Sequence, residues 1–448
     1  MGRTGEHAVV IGASIAGLCA ARVLSEHFDR ITMFERDHLP ERPANRAAVP
    51  QGRHVHLLMA RGADEFENMF PGLLDDMVRA GVPKLANRPD CIHFGAAGHV
   101  LGTKHRLRDE FTAYVPSRPH LEWQIRLRVR ALPNVGMVNL GVAEPLFDPA
   151  TRRVTGVRLE GGDTAAADLV VDATGRGTRL PVWLRQWGFA PPTEETVDVG
   201  IDYATHQVRI PDGLFEEKVV VAGASRRQPL GLGMLYYEDG LWGLTTFGTA
   251  KAAPPDDFAG MIALADQILP HHVSQALRRG EPVGEVARHK YPTSRWRRYD
   301  KLADFPEGII PLGDSVVSFN PTFGQGMTMT SIQAANLRTV LESGARDVAR
   351  PLAQLTAKTT YPVWTMNAIG DLVLHNAAGA RPWWYRPVGA LFDQFLGAAE
   401  SDPVLAEWFL RRFSLLDSLY MVPSPRLVGR AVRHNMRLWR AERRAAQA

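Results

Sequence analysis

Two glycine-rich turns, about 300 residues apart, hold the residues whose types and spacing could do chemistry. The first is Gly12-Ala-Ser-Ile-Ala-Gly17, between the short apolar run Ala8–Gly12 and a predicted helix over Ile15–His27, with Glu35 closing the next predicted strand, Arg30–Glu35. This is the spacing of a dinucleotide-binding turn. Gly12 permits the tight turn, the third position lets the backbone approach a pyrophosphate, and Gly17 allows the helix to sit close on the sheet. The N–H groups of Ile15 and Ala16, at the positive end of the helix, would face the phosphates. Ser14 stands where a second glycine is usual, and Glu35, followed by Arg36, would accept hydrogen bonds from an adenosine ribose.

The second turn is Gly313-Asp-Ser-Val-Val-Ser-Phe-Asn-Pro321-Thr-Phe-Gly324-Gln-Gly326-Met327, after the apolar strand Gly308–Leu312. An aspartate at a strand end, here Asp314, can accept hydrogen bonds from a ribityl hydroxyl. The Gly324-Gln-Gly326 opening of the following helix, with Met327 behind it, lets backbone N–H groups reach an anionic ring edge. A flavin asks for both, because a reduced isoalloxazine carries negative charge near N1 and its neighbouring carbonyl. FAD is therefore the expected cofactor, with Pro321 turning the chain beside the ring.

With these motifs the chain resembles the FAD-dependent monooxygenases of the p-hydroxybenzoate hydroxylase fold. The likeness is carried by Gly12–Gly17, Glu35 and Gly313–Gly326, and more weakly by Asp172-Ala-Thr-Gly-Arg-Gly-Thr-Arg179, where the usual Asp-Gly pair is absent. More locally, Arg46–His56, Asp172–Arg179 and Asn320–Met327 resemble the actinomycete polyether-type olefin epoxidases and related natural-product hydroxylases, a likeness spanning roughly Ala8 to Ser331. The resemblance implies that Arg46 and Arg118 lie on the pyrophosphate side and that backbone near Ala48 and Val49 runs along the flavin edge. It implies a monooxygenase that inserts one atom of O2 into an apolar or aromatic small molecule, by hydroxylation or epoxidation through a flavin C4a-hydroperoxide, in secondary metabolism. NAD(P)H would supply electrons directly or through a separate flavin reductase, since a second nucleotide fingerprint is missing. No metal site, protein nucleophile or general base stands out. A halogenase should carry W-x-W-x-I-P, which Ser294–Tyr299 does not match, and a disulfide reductase needs paired cysteines. A flavin-dependent dehydrogenase or saturase of a prenyl-type substrate, and a non-catalytic FAD-binding protein, stand as alternatives.

The elements that must position these residues make an α/β chain with an α+β second lobe. At 448 residues it exceeds the roughly 250–300 at which one core stops growing. A Rossmann-like FAD-binding domain is expected from residues 1–84, 116–190 and 297–342, a β-sheet substrate domain from 85–115 and 191–296, and a C-terminal helical region over 343–448, broken by prolines that include 351 and 362. A helix is predicted over Arg118–Leu132. Strands are predicted at Arg153–Leu159 and Asp168–Asp172, joined by Gly161-Gly162-Asp163, and at Lys218–Ala222, Leu232–Tyr237 and Leu241–Phe247, the last two joined by an Asp239-Gly240 hairpin signal. Tyr203, Tyr236, Tyr237, Trp242 and Phe247 either line an apolar pocket or pack the sheet. His54 and His56 either face the flavin or satisfy backbone carbonyls, and Cys19 reads as core.

Composition narrows the partners. With 45% hydrophobic and 22% charged residues the chain is an ordinary globular protein. Its net charge of +4 is misleading, because Ser424–Ala448 holds seven Arg against one Glu. No spread of positive charge argues for nucleic acid. Two distant cysteines exclude a disulfide framework or a zinc site. The first residues lack a signal-peptide pattern and no run of 18 apolar residues occurs, so a cytoplasmic enzyme is expected. Arg426, Arg430, Arg433, Arg437, Arg440 and Arg444 share one helical face opposite Leu427, Val428, Val432, Met436 and Trp439. That pattern reads first as a solvated face on a helix packed against the body, and otherwise as a contact for anionic membrane or for an acidic partner such as a carrier domain.

Overall fold

The computed structural model describes residues 4–374, 383 and 385–445. Its first sheet is wholly parallel, in the order Ile309–Pro311, Leu169–Asp172, Gly5–Ile11, Phe28–Phe34, Val135–Val138. The central strand ends in the buried run Ala8-Val-Val-Ile11, the signature of a strand covered on both faces. Helix Ile15–Leu24 crosses over one face and packs against helix Gly326–Glu342. It ends three residues before the predicted His27, because the Ser25 hydroxyl takes the Arg22 carbonyl and the chain must turn into the strand that starts at Phe28.

The second sheet has eight strands, in the order Val317–Ser318, Glu281–Arg297, Glu194–Arg209, Trp242–Gly248, Leu230–Tyr236, Val219–Ala222, Ile92–Ala96, His99–Val100. Side chains alternate between its faces at period two. Ala204, Leu232, Met234 and Leu244 pack beneath helices Phe258–Ile268 and His271–Arg278. Their neighbours Tyr203, Leu235, Thr245 and Phe247 face a cavity shared with the first sheet. The hairpin signal holds: Asp239 and Gly240 both take positive φ, 63° and 67°, between strands Leu230–Tyr236 and Trp242–Gly248.

Two expectations are corrected. The Gly161–Asp163 turn joins Arg153–Leu159 to the short strand Thr164–Ala166, its antiparallel partner, whereas Leu169–Asp172 returns to the parallel sheet. Neither Pro351 nor Pro362 breaks a helix: Pro351 sits in the first turn of Ala349–Ile369, where a missing N–H costs nothing, and Pro362 in its interior. The cost of an interior proline is offset there by burial of Val363 and Trp364, the latter against Trp296 and Phe319. Helices Tyr385–Ala399, Pro403–Phe413 and Pro425–Ala445 complete the chain, and no helix among the described residues is long and apolar enough to cross a membrane.

The closest approach in the first turn is at Gly17, where an added Cβ would stand 1.9 Å from the Gly12 carbonyl oxygen. Gly17→Ala should destabilise the protein by about 1–3 kcal/mol through overpacking against rigid backbone. Chemical denaturation of the purified variant measures this, and an unchanged midpoint would refute the close-contact reading.

Candidate cofactor and substrate site

A cavity of about 710 Å³ lies beyond the carboxyl ends of the parallel strands and runs beneath the second sheet. That end of an open α/β sheet is where such folds bind ligands, because the loops leaving the strands diverge there. Ser14, Ile15, Ala16, Arg36 and Arg118 line one end, and Pro321, Gly324, Gly326 and Met327 another, with Val49 and Asp314 also on the wall. The two glycine turns thus open into one space. Gly12 sits under its turn at φ 101°, where an added Cβ would meet the Ala173 carbonyl oxygen at 2.8 Å.

The strand-end loops are clamped to each other. The Leu312 N–H donates to the Asp172 carbonyl at 3.0 Å, and the Gly175 N–H donates to Ser315 Oγ at 3.0 Å. The Asp172 carboxylate accepts from the Thr174 N–H at 3.0 Å and from the hydroxyls of Thr174 and Thr178. Fully buried, it is spent on its own loop. This clamp brings Asp314 beside Gly175. Burial raises the Asp314 carboxyl above the usual range, opposed by the nearby guanidinium groups of Arg176, Arg118 and Arg297.

Neither helix start in the cavity is capped by a side chain. Ser14 Oγ instead accepts from Arg118 Nη2 at 3.0 Å. Gln325, before Gly326, is turned away: its amide donates to the Phe413 carbonyl at 3.3 Å and its oxygen accepts from Asn367 at 2.8 Å. Gly324 takes φ 68°, which brings the chain round to the helix. First-turn N–H groups at both ends are therefore left to a ligand. Arg118 opens helix Arg118–Arg130, whose Ser117 cap accepts from the His120 N–H. It is buried at 7% exposure and pairs with Glu122 at 3.3 Å, while Nη1 has no hydrogen-bond partner.

Glu35 and Arg46 sit behind this end and do not line the cavity. Glu35 Oε2 accepts from the Ala13 N–H at 2.8 Å and Oε1 from the Asp37 N–H at 2.9 Å. Arg46 spans Glu35 at 3.2 Å and Glu122 at 2.9 Å, and its Nη2 lacks a hydrogen-bond partner. Gly17 likewise lies under the turn, against the Gly12 carbonyl.

On the opposite wall, His54 Nδ1 bonds Thr205 Oγ1 at 2.7 Å, Thr205 bonds Thr245 Oγ1 at 2.6 Å, and the Val55 N–H donates to Thr245 at 3.2 Å. The His54 ring lies 5.7 Å from both Tyr203 and His289. Burial, then His289 and Arg53, lowers His54 to about 4. Burial, then Arg118, lowers His56 to about 3. His56 Nδ1 satisfies the His54 carbonyl at 2.9 Å, and its N–H donates to the Tyr237 hydroxyl. Both histidines line the cavity, and Tyr237 holds their segment in place. Tyr236 and Trp242 turn to the other side, with Phe215 beside Trp242. Cys19 is fully buried.

Several wall residues carry no motif that would nominate them. Arg176 sits over the Tyr291 ring at 4.2 Å and donates to Ser318 Oγ and the Thr293 carbonyl, each at 3.0 Å; its only sequence signal is the Gly175-Arg-Gly177 turn. His289 and Thr245 come from sheet alternation. Phe413, at the end of helix Pro403–Phe413, meets Phe94 edge-on at 5.0 Å and lines the cavity beside it. Among the described residues, no group of His, Cys, Asp and Glu could hold a metal ion.

Over 99% of its length the chain is 65% identical to Protein Rv3254 of Mycobacterium tuberculosis, covering 97% of that protein. The chain belongs to the Rv3254 family. A family model for the Mycobacterium Rv3254 C-terminal domain matches residues 379–445, a range that includes Phe413 of the cavity wall. Kynurenine 3-monooxygenase of Salinispora arenicola is 27% identical over 357 residues, 73% of this chain and 70% of that one. Among solved structures, a flavin-dependent brominase superposes with TM-score 0.65 at 14% identity, covering 97% of this chain and 99% of that one. p-Nitrophenol 4-monooxygenase from Pseudomonas putida gives 0.62 at 17% identity, covering 93% and 99%. This member of the Rv3254 family has the p-hydroxybenzoate hydroxylase fold of the flavin-dependent monooxygenases.

The two depressed histidines set a pH dependence. Their folded values lie below the ordinary 6.5, so under pH 6.5 the unfolded chain binds more protons than the folded one. Their contribution is complete above pH 6.5 and is lost as pH falls toward about 3–4. Thermal melts between pH 7 and 4.5 should show a falling midpoint, with a shallower fall in His54→Asn/His56→Asn. Equal slopes in the two proteins would show that these rings are not shielded when folded.

Proposed function

We propose that the protein is an FAD-dependent monooxygenase that places one atom of O2 into a small apolar or aromatic molecule, by hydroxylation or epoxidation. One observation carries this reading: Arg118 and Asp314, enclosed and incompletely compensated, face a single cavity that joins two uncapped helix starts. Such an arrangement suits an anion at one end, a hydroxylated chain in the middle and an electron-rich ring edge at the other.

The N–H groups of Ser14, Ile15 and Ala16 would hold the pyrophosphate with Arg118 and Arg36. Gly12 and Gly17 shape that turn, and the Glu35–Arg46 pair supports the adenosine end from behind. Asp314 would hold the ribityl chain, and Pro321, Gly324, Gly326 and Met327 the ring, with Val49 along its edge. Bound there, FAD supplies the oxygen-activating chemistry. Residues 1–84, 116–190 and 297–342 would form its domain, residues 85–115 and 191–296 the substrate wall, and residues 343–448 the closing layer.

The chain's own work is to exclude water and to orient a substrate. Tyr203, Phe247, Phe94 and Phe413 give an apolar wall. His54 is neutral near pH 7, and with Nδ1 held by Thr205 it keeps Nε2 for a polar group of the substrate. NAD(P)H, direct or through a reductase, is the electron source in this reading.

Asp314→Ala should weaken FAD binding by about 10- to 100-fold, since a hydrogen bond to a charged group is worth about 1.5–3 kcal/mol. Flavin content of the purified variant and titration of its apoprotein measure this; unchanged affinity would misplace the ribityl site. Anaerobic addition of NADPH to the holoprotein then separates direct reduction, which bleaches the flavin, from supply by a partner, which leaves it oxidised.

A further inference from the structure

The C-terminal helix has more apolar surface than the body covers. Helix Pro425–Ala445 runs for 21 residues, about 31 Å at 1.5 Å per residue. It meets the body through Ala431, which is buried, and through Arg430–Asp402, Ser401–His434 and Asn435–Gln394 contacts. Beyond Asn435 every residue whose exposure is described stands in solvent, including Met436 at 47% and Trp439 at 52%. With Val432 they form a stripe that continues onto exposed Leu391 of helix Tyr385–Ala399, across a cleft of about 400 Å³.

Beside the stripe runs a bare cationic face. Seven arginines and one glutamate occupy this helix. Among the described residues Arg430 alone of the seven has an ion pair, and Arg443 stacks on Trp439 at 4.0 Å. An isolated helix end of this kind gains little from water-exposed apolar residues, because helical stability in proteins comes mostly from covering an amphipathic face. The apolar and cationic stripes lie side by side along the helix, and the cleft is not ringed by charge. A planar, laterally uniform, anionic partner with an apolar interior matches that arrangement.

We propose that helix Pro425–Ala445 docks this protein in plane on an anionic lipid bilayer, with arginines on the headgroups and Val432, Met436 and Trp439 at the acyl boundary.

The test is co-sedimentation of the full-length protein with vesicles of phosphatidylcholine alone or mixed with phosphatidylglycerol. Binding is expected to the mixed vesicles only and should weaken with added salt. Each arginine lost should cost about fivefold, so Arg433→Glu/Arg440→Glu should bind more than about 25-fold more weakly. Met436→Asp/Trp439→Asp should also release the protein, with flavin content and circular dichroism as folding controls. No binding to the mixed vesicles, or binding by either variant equal to that of the parent protein, overturns the proposal. So does a concentration-dependent dimer in sedimentation velocity that the aspartate variant abolishes, because the stripe would then belong to a second copy.

Discussion

Arg118 and Asp314 are opposite charges that line one cavity within each other's field, and most of the site follows from keeping them there. Burial penalises both ionised forms, lowering the Arg118 value and raising that of Asp314. Each is only partly compensated by protein. Arg118 has Glu122 and Ser14, with one nitrogen over; Asp314 has the field of three guanidinium groups. A ligand bearing an anion and hydroxyl groups completes what the protein leaves undone, so the emptied charges act as a binding determinant.

Such charges can be held only on rigid supports. The parallel strands end in step, and the Asp172–Ser315–Gly175 clamp ties two of their loops into one ledge. Asp172 therefore belongs to the architecture, although its motif looks like one for ligand contact. Across the cavity the eight-stranded sheet contributes Tyr203, Thr245, Phe247 and His289, with Lys290 at its margin, and burial lowers the nearby His54 and His56 so that they are neutral near pH 7. Arg36, Arg118 and Asp314 thus lie on a wall that also carries the aromatic rings of Tyr203, Phe247 and Phe413.

The helical tail joins the two. Gln325 turns its side chain into the Phe413 carbonyl and Asn367, so the residue before the helix start is anchored in the C-terminal layer. The same layer supplies Phe413 to the cavity and presents the arginine helix to the outside. One segment thus contributes both to the cavity wall and to the outer surface.

Local chemistry alone determined a good part of this protein. Gly12, Gly17, Gly324 and Asp314 declare themselves because tight turns, close backbone contact and strand-end carboxylates demand particular residue types at particular spacings. The Asp239-Gly240 hairpin and the arginine periodicity are legible for the same reason, since each depends on neighbours within a few residues. What only the tertiary structure decided depends on distant pairing. Arg46 looked like a ligand contact and became the partner of Glu35 and Glu122; Leu169–Asp172 left its hairpin for the parallel sheet; Pro362 stayed helical under the pull of a buried Trp364. Arg176, His289 and Phe413 reach the cavity through register, loop clamping and helix packing. None of these is encoded in a local pattern, because the free energy that selects them comes from burial against residues tens to hundreds of positions away.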